Sequence, residues 1–404
     1  MNALPYDFTA LPNARQASES EKWNQYPSDT IPMWVADSDY AVAPEITAAL
    51  QQRLQHPVLG YGKTSEKLKK LIVERAAQKY HWQIKPEWIC FIPGVVGGLN
   101  IARAIMGEPG SQAITAKPVY PHLINGAPLL GQGMQFYPML NQQTKNQKWR
   151  YTPDFEALKA TLTAQTRMLM ICNPHNPVGT VYHADELANF AAIAEANDLL
   201  ICSDDIHADF VLDTEAVYRP IASLSPAVSQ RTITLMAASK TFNIAGLNCA
   251  FAIIENPDIR TAFVSQVKGL VGGVNILGLI ATEAAYEYGD DWHQAQLTHL
   301  RENAHYCYAR INAMPLLSMN ALEATYLAWV DASKLNALLA SQPIKDAYHY
   351  LLHYKVAVSN GEAFGVPSFI RLNLATDRAT LQAGLDRIEA AVMALMNGAD
   401  EQLT

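Results

Sequence analysis

Three apolar strands, each running into polar residues at its C-terminal end, constrain this 404-residue chain more than any other feature. Met168-Leu169-Met170-Ile171 opens into Cys172-Asn173-Pro174-His175-Asn176-Pro177-Val178-Gly179-Thr180. Leu199-Leu200-Ile201-Cys202 delivers Ser203-Asp204-Asp205-Ile206-His207. The β-branched run Arg231-Thr232-Ile233-Thr234-Leu235-Met236 leads to Ser239-Lys240-Thr241-Phe242-Asn243-Ile244-Ala245-Gly246-Leu247. Further strands are expected at Trp88–Ile92, Gln112–Ala116 and Cys249–Ile254, and helices at Asp154–Leu162 and Ala184–Ala196. That alternation predicts an α/β fold built on a mostly parallel, doubly wound sheet. Cys249–Ile254 follows its predecessor after a short connection, which fits an antiparallel strand.

Open α/β sheets place ligands outside the carboxyl ends of their strands. Two Asn-Pro pairs and a Gly after Ile171 make a rigid turn at that edge. A lysine at a strand end among small and apolar residues loses hydration, so its ammonium form is disfavoured and the neutral amine becomes a nucleophile toward a carbonyl. A strand-end Asp, Asn and Lys at one edge meet the requirements of pyridoxal phosphate. The lysine forms a Schiff base, the carboxylate keeps the pyridine nitrogen protonated, and the amide donates to the phenolate oxygen.

Other segments occur in order along the chain: Ile31-Pro32-Met33-Trp34-Val35-Ala36-Asp37, Gly60-Tyr61-Gly62, Pro93-Gly94-Val95-Val96 and Pro118-Val119-Tyr120-Pro121, then Ala324-Thr325-Tyr326-Leu327-Ala328-Trp329 and Phe369-Ile370-Arg371-Leu372-Asn373. With these, nearly the whole chain resembles the fold-type I pyridoxal-phosphate enzymes of aminotransferase class I/II. Within them it is most similar to the cystathionine β-lyase or C–S lyase subgroup (PatB/MalY-type). The resemblance implies the aspartate aminotransferase fold, a smaller α+β domain beside the large one, and a small-molecule amino-acid substrate.

It also implies roles. Lys240 is the Schiff-base lysine, Asp204 the pyridine-nitrogen partner and Asn176 the donor to the ring O3′, with Asn173 fixing the turn. Tyr120 stacks on one face of the ring and Ile206 packs on the other, with His207 near the O3′ side. Asp205 stands where the subgroup usually carries Glu and is expected to be structural. Backbone N–H groups of Val95 and Val96 bind the phosphate at a helix start, a ready anion site. Tyr61 reaches the phosphate from a partner subunit, making a homodimer with shared active sites. Arg371 holds the substrate α-carboxylate through its planar fork, and Trp34, Val35 and Ala36 line the substrate pocket. The chain departs from the aminotransferase pattern at Asn248, where many relatives carry a phosphate-binding Arg, and at Ala237, a common Ser; Ser239 is the candidate to compensate.

β-Elimination from cystathionine or another S-substituted cysteine and transamination use the same residues. The subgroup resemblance favours elimination. Two other readings are weaker. Gly60-Tyr61-Gly62-Lys63-Thr64 lacks the first Gly and the preceding strand of a P-loop. Asp204-Asp205-Ile206-His207-Ala208-Asp209 could hold a hydrolase metal, but a strand alternates faces and no second ligand set follows, so no metal is expected. A regulator that kept the fold without chemistry would need a DNA-binding module.

A formal charge of −8 gives no electrostatic reason to bind nucleic acid or an anionic membrane. The N-terminus lacks a signal-peptide pattern, and the most apolar stretch, Gly269 to Ala281, is too short to span a bilayer. The five cysteines show no regular spacing, which fits buried free thiols in a reducing cytoplasm. The length suggests two domains. We read residues 1–45 as an N-terminal arm belonging to the small domain, 46–290 as the large cofactor-binding domain and 291–404 as a small α+β domain. The last contains a helix from Gln294 to Ala313 and a C-terminal helix from Thr380 to Met396.

Overall fold

The structure, a computed structural model, describes residues 6–9, 11, 15, 18–144 and 147–398. Thirteen strands are described: β1 (Ile31–Met33), β2 (Ile89–Ile92), β3 (Gln112–Lys117), β4 (Gly133–Gln143), β5 (Trp149–Pro153), β6 (Thr166–Cys172), β7 (Leu200–Asp204), β8 (Thr232–Met236), β9 (Ala250–Ile253), β10 (Ser318–Met319), β11 (Leu327–Asp331), β12 (Val356–Asn360) and β13 (Phe369–Asn373). Eight form one sheet in the order β2-β9-β8-β7-β6-β3-β4-β5. The run β8-β7-β6-β3-β4 is parallel, and β9 is antiparallel to both its neighbours, as its short connection predicted.

Every residue of β8 is buried, as are all of β6 but Arg167 and all of β7 but its first residue. Helices cover such strands on both faces, which is why they read as unbroken apolar runs. Each Ile or Leu so enclosed stabilises the fold by about 2 kcal/mol. The covering helices begin at residues that cap them. His183 and Glu186 form a capping box at Ala184–Ala196, and Asp154 accepts from Ala157 N at 2.9 Å at the start of Phe155–Thr161. Asp377 accepts from Ala379 and Thr380 at 3.0 Å and starts the C-terminal helix at Arg378, two residues before the predicted boundary.

The second sheet has the order β1-β12-β13-β11-β10. Its edge strand β1 comes from the segment read as an arm; it pairs parallel with β12, and Met33 is fully buried. The long helix starts at Asp290 rather than Gln294. The β4–β5 hairpin was not anticipated. Its tip is rich in Gln and Asn and largely exposed, so it carries little apolar alternation. All five cysteines are buried and unpaired.

Candidate active site

The carboxyl ends of β6, β7 and β8 open onto a cavity of about 340 Å³. Cys172 pairs in register with Asp204, and Asp204 with Leu235, so the ends of the three strands lie side by side. After β8 the chain makes a single helical turn, Ala238–Thr241, that carries Lys240 to the cavity wall. After β2, the helix Val95–Met106 starts at Gly94, which has no capping side chain, and Gly94, Val95 and Val96 line the cavity. The first amides of that helix lack intrahelical partners and form an anion site.

Lys240 Nζ donates to the Ala36 carbonyl at 2.6 Å. Burial pushes its amine below the usual lysine range and the Arg371 charge adds to this, while Asp37 and Asp204 oppose it. Burial raises Asp204 to about 6, tempered by a 3.3 Å bond from Ile206 N and by Lys240. Asp205 turns elsewhere: it accepts from Ser203 Oγ and from Tyr218 OH, the latter at 2.5 Å. Among the described residues no group of three His, Cys, Asp or Glu is placed to hold a metal ion.

Asn176 and Arg371 meet across the cavity, with Arg371 Nη1 donating to Asn176 Oδ1 at 2.9 Å. Arg371 Nη2 reaches the Trp34 carbonyl at 3.1 Å and Ser359 Oγ at 3.2 Å, and its guanidinium lies 4.6 Å over the Phe364 ring. Burial lowers it to about 10, and its buried Nε has no partner among the described residues. A buried cation bonded to neutral oxygens leaves room for an incoming anion. His207 lines the wall with Nδ1 unpartnered among the described residues, and burial lowers it to about 3, which favours the neutral imidazole. Tyr120 and Ile206 are also on the wall, and burial raises the Tyr120 phenol to about 12. Asn173 holds the turn, donating to the Arg219 carbonyl at 3.2 Å and accepting from Tyr182 N at 3.1 Å.

Three candidates fall outside this cavity wall. The Trp34 ring packs edge-on against Tyr26 and donates to the Lys22 carbonyl at 3.1 Å, so only its carbonyl serves the site; Val35 and Ala36 do line it. Ser239 is half-buried in the Lys240 turn without lining the cavity. Tyr61 is fully exposed on a loop. Conversely, Gly94, Cys172 and Asn248 line the cavity, and Ser359 supports Arg371. Asn248 was visible as a departure from the pattern, and Gly94 as the helix start. Ser359 gave no signal, because it meets Arg371 only through the β12–β13 register. A larger surface groove of about 420 Å³ beside Gln52, His56, Lys67 and Glu287 lacks the converging strand ends.

These groups fit pyridoxal phosphate: an anion site at a helix start, a buried carboxylate without an ion-pair partner among the described residues, a desolvated amine, and Tyr120 and Ile206 on the wall. Architecture and site together define the pyridoxal-phosphate-dependent transferase fold. The chain belongs to the aminotransferase class I and II family, which it matches over residues 28–388. It is 32% identical to cystathionine beta-lyase PatB of Bacillus subtilis (strain 168), over 94% of this chain and 98% of that one. The crystal structure of OvoB superposes with a TM-score of 0.91 at 38% identity, covering 96% of this chain and all of the other. The structure of the pyridoxal-phosphate-bound C–S lyase from Staphylococcus hominis superposes with a TM-score of 0.86 at 27% identity, covering 96% and 99%.

Proposed function

We propose that this chain is a pyridoxal-phosphate-dependent carbon–sulfur lyase that acts on L-cystathionine or related S-substituted cysteines. An S-substituted cysteine and water become a thiol, pyruvate and ammonia. The observation that carries the reading is the near full-length similarity to a cystathionine β-lyase, joined to a cavity that gathers Lys240, Asp204 and Arg371.

The amines and acids divide the work. Arg371 takes the substrate α-carboxylate in its two-pronged guanidinium, exchanging its bonds to neutral oxygens for charge-assisted ones. Bound pyridoxal phosphate supplies an electron sink for the pair left at Cα. Asp204 would hold a proton at the ring nitrogen, Asn176 and His207 would serve the O3′ side, and Tyr120 and Ile206 would pack against the ring. Gly94, Val95 and Val96 would offer amides to the phosphate, and Asn248 lines the same cavity. Lys240, whose amine burial shifts toward the neutral form, would accept the Cα proton. The Cβ–S bond then breaks with its electron pair going to sulfur, and the proton on Lys240 Nζ is available to the departing thiolate. Pure enzyme with L-cystathionine is expected to release pyruvate without an added 2-oxo acid. Amino transfer that depends on a 2-oxo acid, with no pyruvate, would assign it to the transaminases.

Arg371→Lys is expected to raise KM for the amino acid by about tenfold or more, with the cofactor's visible band little changed. Lysine keeps the charge and loses the fork. Unchanged KM for several amino acids would place the carboxylate elsewhere.

The active unit is a homodimer with shared sites, a reading supported by fully exposed Tyr61 on a loop that also exposes Val58 and Leu59. Tyr61→Ala and Lys240→Ala variants each disable a different subunit's part of one site. After subunit exchange, half of the dimers are mixed and each has one intact site, so about a quarter of wild-type activity returns. No recovery after verified exchange would show Tyr61 working in its own subunit. Among the described residues, we assign those of 46–290 to the cofactor-binding domain and those of 1–45 and 291–404 to the smaller one. Buried unpaired cysteines favour a cytoplasmic setting.

A further inference from the structure

The residue after Lys240 is tied to a buried ionic network that lies behind the cavity. Thr241 is 1% exposed, and its hydroxyl donates to Asp209 Oδ2 at 3.0 Å. The same carboxylate receives Arg75 Nη2 at 2.8 Å and Tyr80 OH at 2.6 Å, and Arg75 Nη1 reaches Asp290 at 2.9 Å. The Arg75 and Asp209 side chains are each 7% exposed. Burial would push Asp209 up, but Arg75, His293 and the bond from Tyr80 together outweigh this and hold the carboxyl well below the usual range.

A buried Arg–Asp pair adds little net stability by itself, because desolvation offsets the attraction. Its consequence here is positional. The Lys240 turn has only four residues and no side-chain cap, so helix propensity alone does not hold it in place. Asp204 and Asp209 lie on one short segment that leaves β7. The first faces the cavity and the second grips the Lys240 turn, so the segment sets the spacing between lysine and carboxylate.

We propose that Asp209, acting through the Thr241 hydroxyl, is a positioning residue that fixes the Lys240 amine relative to Asp204 and Arg371. The proposal rests on Lys240 as the cofactor-bearing residue. A shift of about 1 Å in a reacting group can cost up to ~100-fold in rate, and loss of one bond to a rigid carboxylate permits part of such a shift.

The test compares holoenzyme carrying Thr241→Val, which is nearly isosteric, with Thr241→Ser, which restores the hydroxyl. Thr241→Val is expected to change the visible circular dichroism of bound pyridoxal phosphate by about twofold. It should lower kcat on L-cystathionine about tenfold with little change in KM, and Thr241→Ser should recover both. Wild-type dichroism and kcat in Thr241→Val would overturn the proposal, as would Thr241→Ser impaired to the same degree. Should valine prevent folding, Thr241→Ala is read against Thr241→Ser in the same way. A wild-type protein that shows no visible band with pyridoxal phosphate would remove the Lys240 assignment and this proposal with it. A normal wild-type band with an unaffected Thr241→Val removes this proposal alone.

Discussion

Lys240→Ala is expected to abolish the visible absorption band of the bound cofactor and to lower turnover by at least about 10³-fold. In the proposed mechanism one amine has two tasks, covalent attachment and transfer of the Cα proton, so both fail together. The setting of Lys240 explains why another lysine would not substitute. It stands at the cavity wall at the end of a buried strand, where burial lowers the affinity of its amine for a proton. A neutral amine is needed to accept the Cα proton, so kcat should fall as pH drops through that depressed pKa. Among the described residues the hydrogen bond the side chain loses in alanine is the one to the Ala36 carbonyl, so thermal stability should change little. The measurement is an absorption spectrum of purified protein with added pyridoxal phosphate, together with a pyruvate assay. A variant that keeps both band and turnover would place the attachment at a different residue.

The parts of the site carried by consecutive strands were legible in the sequence, because each polar residue directly follows an apolar run and parallel strands must end at one edge. Lys240, Asp204 and Asn176 reach the same cavity for that reason, and Val95 and Val96 do so because a helix starts right after β2. What the sequence hid was long-range pairing. Ser359 and the Trp34 carbonyl meet Arg371 only because β12 lies between β1 and β13, an order that no local pattern encodes. The Trp34 ring was misplaced on similar grounds. An aromatic residue beside a pocket segment gives no hint that its indole turns toward Tyr26 and Lys22. In the fold, buried strands were found and the exposed β4–β5 hairpin was missed, because apolar periodicity reports burial and that hairpin has little. Asp209 was noticed as one of several acids after β7, yet its pairing with Arg75 and Tyr80, residues more than a hundred positions earlier, required the folded chain.

Asp204→Asn is expected to retain the cofactor while losing about 3–4 kcal/mol of transition-state stabilisation, a fall in kcat of roughly 10²–10³-fold. Asparagine has the same shape and no negative charge, so nothing keeps the ring nitrogen protonated as electrons arrive from Cα. Asp205 cannot take over without breaking its bonds from Ser203 and Tyr218, which turn it away from the cavity. The cofactor-free protein should show the opposite effect on stability. Burial raises Asp204 from 3.8 to about 6, so the folded chain binds this proton more tightly than the unfolded chain does. Below pH ~4 the group is neutral in both states and costs nothing; as pH rises through about 6 the folded chain must hold an unpaired buried charge. Cofactor-free Asp204→Asn should therefore be more stable than wild type near pH 7.5, by up to about 2–3 kcal/mol, with the gap closing toward pH 4. Thermal denaturation of the two cofactor-free proteins at both pH values, set beside kcat of the loaded forms, measures both effects. A variant less stable than wild type at pH 7.5 would mean that Asp204 is already paired in the empty site, and near-wild-type kcat would show that another acid serves the ring.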